Sequence, residues 1–277
     1  MLSVNRTTWT RGWTFLLALM VAGCSTTGTP PAPVRSLTLI GHCGVGCPIG
    51  SSGHILDREA YTLSNNPKTK FADWVAYWIT SDTYAKDRPR DWATDPDLPR
   101  SETLEPKEYD GAYKQLVLER GHQANLASMG AVPNWEALNY LSNITPQRPD
   151  LNQGSWKTLE DRERALRMSP DNQGVHVVTG PLYERHIGTL PAASKPHTIP
   201  SGYWKVIFTG SSPEQGLYAS FVMDQDTPRS VDFCTQQVTV AEIERRSGLT
   251  LWSSLPADVQ AKLKHQPGQL AQRLGCP

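Results

Sequence analysis

The chain has 277 residues and an even charge balance, with 27 Lys+Arg against 27 Asp+Glu. That balance excludes a protein that coats polyanions by overall attraction, which needs a strong basic excess. The length suits one hydrophobic core.

The first residues read as an address rather than as fold. Arg6 and Arg11 precede an apolar run from Trp13 to Ala22 (WTFLLALMVA), which is of signal-peptide length and too short to span a bilayer. The run ends in Val21-Ala22-Gly23-Cys24, which resembles a bacterial lipobox. That resemblance implies export, removal of residues 1–23, acylation of Cys24 and a lipid anchor in the cell envelope. Ser25 in the next position fits transfer to the outer membrane, on its periplasmic or surface face. The alternatives are an ordinary cleaved signal with an incidental cysteine, or a core helix. Residues 24–35 carry the Pro/Thr-rich STTGTPPAPV tether. Removing the leader leaves 25 basic and 27 acidic side chains, a net of −2, so any phosphate binding must come from a local cluster. No internal repeat or second linker interrupts the rest, and one mixed domain is expected over 36–277.

Five cysteines remain to be placed. With Cys24 set aside, Cys43, Cys47, Cys234 and Cys276 make an even number, as an oxidising compartment favours. Cys43–Cys47 would close a short loop over Gly44 and Gly46, and Cys234–Cys276 would tie the last residues to a late strand. A zinc site using His42 is the alternative, but four well-spaced ligands are lacking.

In chain order, Glu59–Leu63 and Phe71–Ile79 are expected as strands from their aromatic and branched residues. Lys86-Asp87-Arg88-Pro89-Arg90 is the most basic local run. Lys114–Glu119 (KQLVLE) reads as a short strand leading into Arg120 and His122. Asn134–Leu141 reads as a short helix or turn, and Asn143–Asp150 (NITPQRPD) as a loop with two prolines. Trp156–Arg167 has helix-forming composition with Pro170 to stop it. Strands are expected at Val175–Thr179, Tyr203–Phe208 and Leu217–Met223, and helices at Ala241–Ser247 and Ala257–His265. The class is α+β, with strands on both sides of one central helix.

Chemistry concentrates between Glu119 and Arg164, where Arg120, His122, Asn143, Asn152, Glu160 and Arg164 fall within 46 residues. An imidazole takes a proton near neutral pH, an amide or carboxylate oxygen holds a hard divalent cation, and guanidinium grips phosphate with a planar fork. Together they read as metal-assisted phosphodiester hydrolysis. On a continuous helix Trp156, Glu160 and Arg164 share a stripe. Asn152 would then lie roughly 12 Å from Glu160 along the axis, too far for both to touch one ion. Taken alone, Glu160 and Arg164 would be an ordinary i,i+4 surface pair.

ERGHQANLAS, followed by YLSNITPQ and LNQGSWKTLEDRER, resembles the DNA/RNA non-specific endonuclease family of the Serratia nuclease type. HCGVGCP, KFADWVAYWIT, VVTGPLYER, KPHTIPSGYWKVIF and LTLWSSLPADVQ extend the resemblance over almost everything after the tether. It implies a ββα-metal core on a central antiparallel sheet flanked by helices. It implies cleavage of DNA and RNA to 5′-phosphorylated oligonucleotides, and homodimers in some members. His122 would be the general base. Asn152 would be the one protein ligand of Mg2+, or of Mn2+ in its place, and Glu160 would orient the hydrated ion. Arg90 would bind the phosphate and the charge developing on it, with Arg120 and Arg164 in support and Asn143 either as a contact to substrate or as a support behind the residues that touch it. Glu119 departs from the family's usual Asp and is expected close to the hydrated ion. A surface lipoprotein that binds DNA without cutting it is the competing reading, and a phosphodiesterase for small nucleotides is a third. Binding alone would not require His122, Asn152, Glu160 and Arg90 together.

Overall fold

The computed structural model describes residues 41–169, 174–215 and 217–277. The leader, Cys24 and the tether lie outside the described residues. Three strands open the fold: β1 (Ile55–Asp57), β2 (Thr62–Asn65) and β3 (Ala72–Ile79). Helix α1 (Ala112–Leu116) leads into β4 (Glu119–His122), and α2 (Leu126–Met129) precedes β5 (Ile144–Gln147). Next come α3 (Pro149–Asn152) and α4 (Ser155–Leu166), then β6 (Val175–Leu182), β7 (Gly202–Thr209) and β8 (Tyr218–Asp224). Helices α5 (Val240–Ser247), α6 (Ala257–Lys264) and α7 (Leu270–Arg273) close the chain.

The main sheet is antiparallel throughout, in the order β1-β2-β3-β6-β7-β8. Its central strands are covered on both faces, which is why β7 (GYWKVIFT) is buried along its whole length. Alternation sorts the side chains. Tyr77, Val177, Tyr203 and Ile207 pack with Trp156 and Leu159 of α4, whereas Trp74, Val178, Trp204, Val206 and Phe208 pack with Val240, Ile243 and Leu263. The expected α+β class holds, and so does the antiparallel sheet between helices.

Two expectations around the site fail. Lys114–Glu119 is not a strand: α1 ends at Leu116, Val117 stops it in the left-handed region at φ 54°, and β4 begins only at Glu119. Branched residues in KQLVLE mimic a strand, but Val117 serves as a helix stop, a place where glycine is usual. Asn143–Asp150 is not a loop, because Ile144–Gln147 pairs with β4 as a two-stranded ribbon. Pro146 is tolerated there because the ribbon has only two strands and each is an edge. In the first strand region, pairing begins at Thr62 instead of Glu59.

Both disulfides expected from the sequence are formed, Cys43–Cys47 and Cys234–Cys276. In the chain-entropy view the 42-residue separation of the second contributes about 4 kcal/mol, roughly twice the short loop's share.

Candidate active site

Strand β4, helices α1 to α4 and the segment 85–92 contribute to the lining of a cleft of about 1070 Å³. Arg90, Glu119, Arg120, His122, Asn152, Glu160 and Arg164 all face it. The cleft therefore unites seven of the eight cleft residues expected from sequence. Asn143 is the exception. It is fully buried: its Oδ1 accepts from the Ala124 amide at 2.8 Å, and its Nδ2 donates to Ala124 O at 3.1 Å and Leu138 O at 2.9 Å. Its side chain is spent on fixing the turn after β4, so of the two expected roles it has the supporting one and does not contact substrate.

His122 ends β4, held in register opposite Ile144. Gly121 makes room for the Gln147 side chain, since a Cβ there would lie 1.9 Å from Gln147 Oε1. The imidazole Nε2 is 3.1 Å from Asn139 Oδ1, and the Asn139 amide nitrogen donates to Pro89 O at 3.0 Å. That second bond sets the amide's polarity, so an acceptor faces Nε2 and the ring carries its proton there. Nδ1 is left with a lone pair. Burial pushes the imidazole down to about 4, the Asn139 bond opposes this, and the Arg90 charge adds to it. The ring is neutral at pH 7 and able to accept a proton. Trp92 tilts against it with ring centroids 5.2 Å apart.

Asn152 does not lie on one helix with Glu160. The chain breaks between α3 and α4 at Gly154, where a Cβ would lie 2.2 Å from Asp150 O and 2.7 Å from Arg229 O. The 12 Å spacing expected of a continuous helix therefore does not apply, and both side chains line one cleft. Glu119 fixes the Asn152 amide by accepting from Nδ2 at 2.6 Å, and it also accepts from Gln153 Nε2 at 2.8 Å. With its nitrogen held by a carboxylate, Asn152 has its Oδ1 free as a donor to a cation. Glu119 thus acts on the amide that sequence assigned to the metal, and among the described residues it forms no ion pair with an arginine.

Glu160 is 6 % exposed. Its Oε2 accepts from Asn125 Nδ2 at 2.6 Å, and Lys205 Nζ lies 3.9 Å from Oε1. Burial pushes this carboxyl up to about 7, against the pull of Lys205 and with the push of Glu163. Arg164 does not pair with Glu160 in the i,i+4 manner. It forms an ion pair with Asp161 and donates to Asn125 Oδ1 at 2.9 Å. Arg120 donates to Pro106 O at 2.6 Å and lies 4.9 Å over Tyr109, so only part of its guanidinium remains for a ligand. Arg90 is exposed at the cleft rim.

Three residues of this site escaped the sequence reading. Asn125 caps α2 by accepting from Ser128 N at 2.9 Å and joins Glu160 to Arg164. Its position before LAS is a readable N-cap signal. Asn139 carries no local signal. Lys205 is wholly buried on the α4 side of β7, with Nζ 2.8 Å from Glu163 and 4.5 Å over the Trp156 ring. A lysine inside the apolar run YWKVIF of a central strand is a signal that sequence offers.

A family model described as DNA/RNA non-specific endonuclease matches residues 41–258. The chain belongs to that family. A nuclease of Serratia marcescens is 55 % identical over 246 residues, covering 88 % of this chain and 92 % of that one. A Nostoc nuclease is 26 % identical over 269 residues, covering 90 % and 94 %. Human mitochondrial endonuclease G is 28 % identical over 205 residues, covering 69 % of this chain and 67 % of its own. The crystal structure of an EndoG/EndoGI complex matches with a TM-score of 0.65 at 24 % identity, over 78 % of this chain and 91 % of that one, and it supports the fold. The matched span contains every residue of the cleft described above, so the family resemblance and the geometry concern the same site.

Proposed function

We propose that this cleft hydrolyses phosphodiester bonds of DNA and RNA without regard to base or sugar, with Mg2+ held at Asn152 and Mn2+ as its substitute. The observation that carries the reading is a pair of fixed groups lining one cleft with several arginines: a neutral imidazole with a free Nδ1 and an amide with a free Oδ1.

The donors suit a hard, water-retaining ion. Among the described residues no three His, Cys, Asp or Glu side chains converge on a point, so a cation held by Asn152 keeps most of its own water. Bound there, the ion would polarise a phosphoryl oxygen and offset the charge that develops on it. His122 would take the proton of the attacking water at Nδ1 while Asn139 holds the protonated Nε2. As the water oxygen bonds to phosphorus the P–O3′ bond breaks, and the 3′ oxygen leaves with a proton from solvent water. Glu160 would orient water around the cation, and Glu119, by holding the Asn152 nitrogen, leaves the Asn152 oxygen available to it. Arg90 and Arg164 attract the phosphate. Contacts to phosphate rather than to base edges fit a broad substrate range.

Full-length protein should cut both plasmid and RNA, leave 5′-phosphate ends, stop with chelator and recover with Mg2+. Binding without chelator-sensitive cutting would instead favour a non-catalytic DNA-binding lipoprotein. We further propose that Cys24 carries the lipid and holds the enzyme at the cell envelope, on the strength of the VAGC sequence. A singly acylated chain anchors weakly, so firm attachment requires more than one acyl group. Cys24→Ser should release soluble protein of unchanged specific activity, and membrane-bound Cys24→Ser protein would refute the anchor.

A further inference from the structure

Resting on the nuclease reading above, we propose that Tyr113 is a stacking platform for a nucleobase flanking the scissile phosphate. The cleft wall contains three aromatic rings: Trp92, Tyr109 and Tyr113. The first two are committed. Trp92 packs on His122, and Tyr109 is buried beneath the Arg120 guanidinium with its hydroxyl donating to Ile144 O at 3.2 Å. Tyr113 is 63 % exposed and takes part in no side-chain hydrogen bond or ring contact with any described residue. It is the aromatic of this wall with a face left for a ligand.

Its mounting is stiff. Helix α1 is bounded by left-handed residues at both ends, Gly111 at φ 77° and Val117 at φ 54°. The Val117 amide bonds back to Tyr113 O at 3.0 Å, and Ala112 beside it is buried in the core below. A rigid ring with two side-chain torsions loses little freedom on binding. The occupant follows from the same wall. Arg90, Arg120, Arg164, Lys157 and Arg229 make the cleft attractive to a chain of phosphates. Bases carried by such a chain have an apolar face to place, and stacking on an aromatic ring accepts any base. The contact therefore adds affinity without adding sequence preference.

The test is steady-state cleavage of single-stranded DNA in two forms of equal length and charge. One has ordinary bases, and the other has tetrahydrofuran abasic residues on both sides of the cleavable bond. Tyr113→Ala should raise KM for the base-bearing strand about five- to hundredfold with little change in kcat. It should leave KM for the abasic strand at the wild-type value, and Tyr113→Phe should behave as wild type on both. Equal KM changes on the two strands, or none on the base-bearing one, would overturn the platform. Failure of the wild type to cut either strand would sink the nuclease reading itself, and the platform with it. The exposed position makes misfolding easy to exclude by an unchanged thermal midpoint.

Discussion

The cleft's two walls, meaning the neighbours of His122 and the neighbours of Asn152 and Glu160, are held by different contacts although both start from β4. The wall that carries His122 is framed by uncharged amides. Asn139 sets the tautomer, Asn143 ties down the following turn, and Pro89 O fixes the Asn139 amide. The wall that carries Asn152 and Glu160 is framed by ions: Glu119 on the Asn152 amide, and buried Lys205 between Glu163 and Glu160. A proton acceptor must stay neutral and point one nitrogen at water, which neutral amides achieve without adding charge. A cation needs negative charge nearby. A pair of close buried carboxylates resists ionising, and Lys205 offsets part of that cost, which still leaves Glu160 raised to about 7.

The largest expected effect breaks the neutral wall. His122→Ala should lower kcat by about 10²–10⁴, the usual contribution of a general base, with the fold unchanged by circular dichroism. Near-wild-type turnover would remove His122 from the mechanism. Next in size, Lys205→Met on the ionic wall should cost about 3–5 kcal/mol of stability, because two buried carboxylates lose their cation. A denaturant midpoint equal to that of wild type would show that the buried ion network is dispensable.

The walls also separate by pH. The Glu160 carboxyl, raised to about 7, is protonated below that pH, so the protein without metal holds a cation less well as pH falls. Half-saturating Mg2+ should rise by up to about tenfold per pH unit below 7. Over the same range His122 stays neutral, since its titration lies near 4. Acid loss of activity between pH 7 and 5 should therefore be restored by added Mg2+. An acid limb that Mg2+ cannot reverse would place the titrating group on the His122 wall.

How much of this was legible in the sequence differs between the walls as well. Helix α4 and strand β3 followed from local composition: Trp156–Arg167 was expected against Ser155–Leu166 observed, and Phe71–Ile79 against Ala72–Ile79. His122 and Asn152 were readable through the motif that contains them. Their partners were less so. Asn139 reaches His122 from 17 residues away and Lys205 reaches Glu160 from 45, contacts created by tertiary folding and invisible to periodicity. The β4–β5 ribbon was hidden by Pro146, which reads as a loop residue unless the strand is known to be an edge. The role of Asn143 stays open in sequence for a related reason, because a motif asparagine near a site does not say whether its amide faces substrate or backbone.

The smallest expected effect concerns Glu119, where the family's usual residue is Asp. Because its carboxylate holds the Asn152 and Gln153 amides, Glu119→Asp should change the rate by less than about tenfold. Glu119→Gln should cost more, since a neutral amide holds the Asn152 nitrogen less firmly. Equal rates for the two variants would show that charge at this position is immaterial.

The division of labour between the walls is tested most directly by one titration, initial rate against Mg2+ concentration for wild type, His122→Ala and Asn152→Ala. The structure predicts that His122→Ala lowers the plateau and leaves the half-saturating Mg2+ unchanged, whereas Asn152→Ala shifts that concentration upward. Equal shifts in both variants, or none in Asn152→Ala, would contradict the assignment of proton and cation to separate walls.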